Sequence, residues 1–187
     1  MELTGTAFSL IALAALVMAM GLLLFMRRVP KLTADVVEAR KSVSSVRRIL
    51  VPIRGFIFEE RAVELACRLG EDQKSEIVLA YVLEVPLTLS LGTAMPEEEE
   101  KARQALERSA NLVRAHRLTP VERVERDRDA GRGILKVAKE LDVDLVVVGL
   151  DPNRGLAIQP IGPTTETLLR RADFEVIIDR PPAPKFD

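Results

Sequence analysis

GILKVAKELDVDLVVVG, residues 133–149, joins a helix-forming stretch to a strand with almost no interval between them. RGILKVAKELD reads as a helix, and VDLVVVG is apolar nearly throughout before it stops at Gly149. A strand with no polar face must be covered on both sides, which is the condition of a parallel sheet held between helices. The same alternation repeats outward from this point. RRILVPIRG, residues 47–55, is a short apolar run ending in Gly, and the helical FEERAVELACRLG follows it and stops at Gly70. SEIVLAYVLEVP supplies a second buried strand. Pro96 with Glu97 to Glu100 then opens a long helix that runs to His116. Pro suits a first turn and acids suit the helix macrodipole, so this charge run is a solvated helix start. A third strand is expected within PVERVERDRDA, a last helix from Thr164 to Ala172, and a fifth strand in FEVIID. Strands alternating with helices predict an α/β domain with helices on both faces of a parallel sheet.

The 187 residues leave room for one ordinary domain of about 100–150 residues once a membrane helix and a linker are set aside. Composition is 48% hydrophobic but only 4% aromatic, so the core must be built from Val, Leu, Ile and Ala. A formal net charge of −1 gives no global field to concentrate nucleic acid, and the basic residues are not interleaved with aromatics, so nucleic acid is not an expected partner. Cys67 and His116 are the single cysteine and histidine, which removes disulfide frameworks and clustered Cys/His metal sites. Cys67 lies in an apolar stripe with Val63 and Ala66 and reads as a core thiol. His116 ends a charged helix, where an imidazole near the last carbonyls is mildly favourable.

Residues 1–29 read as a membrane anchor. Ala7 to Met26 carries no charge and as a helix would span roughly 30 Å, the thickness of a hydrocarbon core. Glu2 precedes it, whereas Arg27, Arg28 and Lys31 follow it, the reverse of a secretory signal peptide. That bias predicts a single-pass protein of the inner or plasma membrane, its N-terminus outside and its C-terminal domain cytoplasmic. In the connector, residues 30–46, Leu32, Val36, Ala39, Val43 and Val46 alternate at spacings of four and three. This allows either a coiled-coil seam or one amphipathic helix resting on the domain or the membrane surface. The α/β domain occupies residues 47–180, and residues 181–187 form a Pro-rich tail.

ILVPIRG, then GILKVAKELDVDLVVVG, then a Gly-containing loop and a helix leading to a last apolar strand, together resemble the universal stress protein family over residues 47–180. The resemblance implies a sheet of five parallel strands in order 3-2-1-4-5, with any ligand at the tips of strands one and four. Open α/β sheets bind ligands there, where the strand order reverses. It also implies self-association through the last strand, FEVIID, to give a homodimer; this pairing would cover an otherwise open apolar edge.

Nucleotide-binding members of that family carry an acidic residue after strand one and a phosphate loop of Gly, two residues, Gly, nine residues, Gly, then Ser or Thr. Here Gly149 and Gly162 hold the first and third glycine positions, Pro152 stands at the second, Pro163 at the Ser/Thr position, and Arg54 at the acidic one. Proline supplies neither the N–H nor the positive φ of a phosphate cradle. Arg54 offers only donors where the family offers an acceptor. The candidate ligand residues are Pro52, Ile53 and Arg54 after strand one and Val82 in strand two. Leu150, Asn153 and Arg154 join Gly149 and Pro152 after strand four, and Thr164 and Thr165 join Gly162 and Pro163 at the last helix.

The leading expectation is a membrane-tethered regulatory or scaffold module that recognises another protein, such as a transporter in the same bilayer, and has no conventional ATP site. The alternative is a sensor that takes an adenine nucleotide or another anionic ligand at the strand tips. No catalytic residue and no resident metal or cofactor is assigned. A lone Asp151 beside a loop broken by prolines does not supply the positioning of phosphoryl transfer.

Overall fold

A computed structural model of the chain describes residues 46–152 and 161–182, together with Met18 and Met20. The chain divides into two compact units, Met1–Val43 and Ser44–Asp187, and every described strand belongs to the second. Met18 and Met20 are helical, while the rest of the apolar stretch Ala7 to Met26 and the connector as far as residue 45 lie outside the described residues. Among the described residues no helix is long and apolar enough to cross a membrane.

The domain runs β1 (Arg48–Pro52), α1 (Ile57–Gly70), β2 (Glu76–Glu84), α2 (Pro96–Ala115), β3 (Thr119–Asp127), α3 (Ala130–Glu140), β4 (Leu145–Gly149), α4 (Pro163–Arg171) and β5 (Glu175–Asp179). All five strands lie parallel in the order β3-β2-β1-β4-β5. The elements and the strand order agree with expectation. Within the third segment the strand takes up Thr119–Asp127 and leaves Arg128 and Asp129 as the turn into α3.

Alternation along the central strands sorts their side chains into two layers. Ile49 and Val51 of β1, Ile77 and Leu79 of β2, and Leu145 and Val147 of β4 pack with Ala62, Val63, Ala66 and Cys67 of α1 and Ala102, Leu106 and Val113 of α2. Leu50, Val78, Ala80, Val146 and Val148 point the other way, against Ile134, Val137 and Ala138 of α3 and Leu168 of α4. Small residues on the helices bring them close to the sheet. A Cβ on Gly133 would stand 2.7 Å from Cγ1 of Val82, so α3 crosses β2 at a distance only glycine permits.

One connector residue changes place. Val46 is buried in the core beside α1 rather than on a helical seam. Its carbonyl accepts the Ser75 hydroxyl at 2.6 Å, which ties the entry to β1 to the start of β2. Arg48 is likewise engaged by the domain, through Glu76 at 2.7 Å and the Leu141 carbonyl at 2.8 Å.

Candidate functional site

The order of strands reverses between β1 and β4, and a cleft opens at their carboxyl ends. It has a volume of about 370 Å³. The β1–α1 loop builds one wall. Ile53 donates its N–H to Ala80 at 2.8 Å, prolonging the pairing with β2 by one residue. The backbone then turns at Gly55, whose φ of 97° lies in the region that glycine adopts without cost. This turn aims three successive amides at a single oxygen: Oε2 of Glu59 accepts from Arg54 at 2.7 Å, Gly55 at 2.8 Å and Phe56 at 3.1 Å. Glu59 is a first-turn residue of α1 and only 5% exposed. Burial pushes its carboxyl above the ordinary value, and the three amides together with the Arg54 charge oppose that shift.

Arg54 itself reaches across to β2, where its guanidinium lies 3.6 Å from Oε2 of Glu84, and its Cζ lies 6.0 Å from the Phe56 ring centre. Phe56 and Phe58 stack with centres 5.4 Å apart. The second carboxylate oxygen of Glu84 accepts from the Ala130 amide at 3.2 Å, at the first residue of α3. Apolar side chains of Ile53, Val82, Ile134 and Val148 form the floor.

The opposite wall comes from β4 and α4. Leu150 donates its N–H to Asp179 at 2.8 Å, and the Asp179 carboxylate is held by Nε of Arg61 at 2.9 and 3.1 Å. Gly162 is the N-cap of α4 and has no side chain to cap it; Pro163 follows at the first helical position, bringing no N–H to the turn. Thr164 and Thr165 complete that wall.

The structure therefore brings together Pro52, Ile53, Arg54, Val82, Gly149, Leu150, Gly162, Pro163, Thr164 and Thr165 at one cleft. Pro152 stands outside its lining, and Asn153 and Arg154 lie outside the described residues. Phe56, Phe58, Glu59 and Asp151 line the cleft as well and were not among the expected residues. An acid three residues after the N-cap was legible as a helix-start signal, but its capture of three loop amides depends on the turn at Gly55. Among the described residues no group of three or more His, Cys, Asp or Glu side chains is placed to hold a metal ion.

Residues 45–180 match the family described as Universal stress protein family. The chain belongs to this family. No curated protein matches the chain in sequence. Solved structures of the universal stress protein fold align over nearly their whole length. A family member from Burkholderia pseudomallei is 20% identical, covering 73% of this chain and 97% of its own, with a TM-score of 0.58. The Archaeoglobus fulgidus protein in complex with dAMP is 16% identical over 70% of this chain and 95% of its own, TM-score 0.58. A family member from Arabidopsis thaliana with AMP bound is 18% identical over 71% and 90%, TM-score 0.54. At such identities the likeness to each universal stress protein is one of fold.

Proposed function

We propose that this chain is a membrane-anchored regulatory member of the universal stress protein family that acts by docking on another protein, without the triphosphate cradle of the family's ATP-binding members. The observation that carries this reading is the first turn of α4, where Pro163 stands at the Ser/Thr position of the phosphate loop and brings no N–H. Arg54 likewise stands where those members offer an acceptor. Proteins need not bind ATP to present a rigid α/β surface, and a tether raises the effective concentration of neighbours in the same bilayer.

The anchor rests on the uncharged stretch Ala7 to Met26 and on the positive charges behind it, which favour a domain on the cytoplasmic side of an inner or plasma membrane. The edge strand β5, with Val176, Ile177 and Ile178 only partly covered, supports pairing with a second copy. A transporter or other membrane protein is the partner such tethering suits. No reaction is assigned to the cleft. Fractionation of expressing cells followed by titration of the detergent-extracted chain with ATP tests the reading. The chain should stay in the membrane after carbonate washing and show no ATP binding at millimolar concentration. Release into the soluble fraction, or tight binding of ATP, would overturn it.

A second reading has its own support. The cleft of about 370 Å³ falls within the size of small-molecule sites, and two fold neighbours hold dAMP and AMP. On this reading the domain is a sensor whose contacts change when an adenine-type ligand enters.

A further inference from the structure

Eight large apolar side chains of the domain are exposed among the described residues, and five of them sit on two loops. Phe56 and Ile57 stand where α1 begins, and Leu87, Leu89 and Leu91 lie between β2 and α2. Because β1 and β2 are paired and parallel, both loops leave the same end of the sheet. Ile57 is 84% exposed and Leu87 87%, so the domain itself covers neither. The leucine loop is nevertheless held from within. Arg128, one residue past β3, donates to the carbonyls of Val85 at 3.0 Å, Leu89 at 2.6 Å and Pro86. Arg126 of β3 donates to the carbonyls of Thr93 at 2.6 Å and Leu91 at 3.2 Å. Two guanidiniums thus satisfy five carbonyls that an exposed loop could have left to water. Internal pairing of backbone groups is what entry into an apolar medium demands, since nothing there replaces the lost water.

We propose that these two loops form a lipid-binding tip, whose leucines and Ile57 enter the headgroup and outer acyl region of the bilayer that anchors the chain. A bilayer accepts projecting apolar side chains without a matching groove, and an anchored domain meets it at high effective concentration. Residues 27–45, between the apolar stretch and Val46, are long enough to reach on the order of 60 Å, so the tip is not barred from the surface by chain length. The acids that open α2 do not hold it away either. Glu98 is paired with Lys101, Glu99 with Arg126 and Glu100 with Arg103, which leaves Glu97 as the one of the four without an ion pair among the described residues. The proposal rests on the reading of Ala7 to Met26 as a membrane anchor.

The test is fluorescence quenching of the full chain reconstituted in phosphatidylcholine vesicles that contain a lipid spin-labelled near the top of its acyl chain. Cys67 is buried, so an environment-sensitive dye can be placed on Leu87→Cys or, at the other end of α1, on Leu69→Cys. The dye at position 87 should be quenched at least about threefold more than the dye at position 69. Leu89→Asp with Leu91→Asp should bring position 87 down to the level of position 69. Arg128→Ala, which keeps the leucines but frees their carbonyls, should lower it as well, and either variant serves should the other fail to fold. Equal quenching at both positions, with the chain retained in the vesicles after carbonate washing, would overturn the tip and leave the anchor standing. Loss of the chain on washing would overturn the anchor and this proposal together. A dye at position 87 that is shielded from water yet unquenched would place a protein surface over the leucines instead of lipid. Quenching that needs anionic phosphatidylglycerol and vanishes at high salt would assign the contact to charge rather than to the leucines. Either result, or quenching unchanged by the aspartates, would overturn the proposal.

Discussion

Nε2 of His116 lies 2.7 Å from Oε2 of Glu64, which joins the carboxyl end of α2 to the middle of α1. The other ring nitrogen, Nδ1, faces Oε1 of Glu71 at 2.5 Å, just past the end of α1. A neutral imidazole has one N–H and one bare nitrogen, so only the imidazolium donates to both carboxylates. The two acids, Glu71 first and Glu64 second, hold the His116 pKa above its ordinary value; His116 and then Arg68 hold Glu64 below its own.

These two shifts make the stability of the domain depend on pH in opposite senses. A raised histidine pKa gives stability that is fully present below the unfolded value of about 6.5 and is lost as pH rises through the folded value. The lowered Glu64 pKa gives stability present above the ordinary carboxylate value and lost as pH falls through the folded one. His116→Gln should therefore lower the melting temperature of the full chain in detergent by roughly 2–4 °C at pH 6 and by much less at pH 9.5. An equal loss at both pH values would show that the contact works by packing rather than by charge. With one histidine in the chain, its NMR titration reports this site alone.

Cys67 is fully buried in α1, and burial, with Glu64 and Glu71 nearby, pushes its thiol up to about 12. Reaction with a thiol reagent requires the thiolate and access to it. The folded chain should consume no reagent over hours at pH 8, whereas the denatured chain should consume one equivalent within minutes. Rapid labelling of the folded chain would contradict the burial. Cys67→Ser should cost about 1–3 kcal/mol, because a hydroxyl would enter an apolar layer.

The contact of Gly133 with Val82 predicts a steric cost for a single methyl group. Alanine would gain up to about 1 kcal/mol of helix propensity, yet its Cβ would meet Cγ1 and Cγ2 of Val82 at 2.7 and 2.9 Å. Overpacking of this kind costs about 1–3 kcal/mol, so Gly133→Ala should lower the urea midpoint. Because Val82 lines the cleft, the substitution should also weaken binding of any ligand there. An unchanged or raised midpoint would mean that α3 can move off the sheet freely.

Arg61 and Asp179 connect α1 to the last residue of β5. The carboxylate is largely buried while the guanidinium is more than half exposed, so removing the arginine leaves a poorly solvated charge behind. Arg61→Ala should destabilise the domain by about 1.5–3 kcal/mol, more than a surface ion pair contributes. Asp179→Asn in the same background should recover part of the loss. Denaturant midpoints of the two variants and of the pair measure this; a double variant no better than Arg61→Ala would assign the loss to side-chain packing.

The layering of the domain was legible in the residues because the chemistry is local and periodic. In Leu145–Val148 both parities are apolar, so β4 had to be covered on two faces, and the helices on either side could be read from their own spacing and stops. The glycine and proline positions at 149, 162 and 163 were likewise plain, since each residue type carries its own backbone restriction. Val46 escapes such a reading because a valine before a strand and a valine on a seam have the same periodic signature; the Ser75 hydrogen bond to its carbonyl, from 29 residues away, decides between them.

The cleft wall belonged to tertiary structure alone. Whether Glu59 faces solvent or folds back over residues 54–56 depends on the path of the loop, and that path is set by the Ile53 bond to Ala80 on a different strand together with the turn at Gly55. Covalent order and side-chain polarity specify which segments become strands and helices, because those preferences act over a few residues. The direction of one buried carboxylate results from contacts between segments distant in the chain, and no local pattern encodes it.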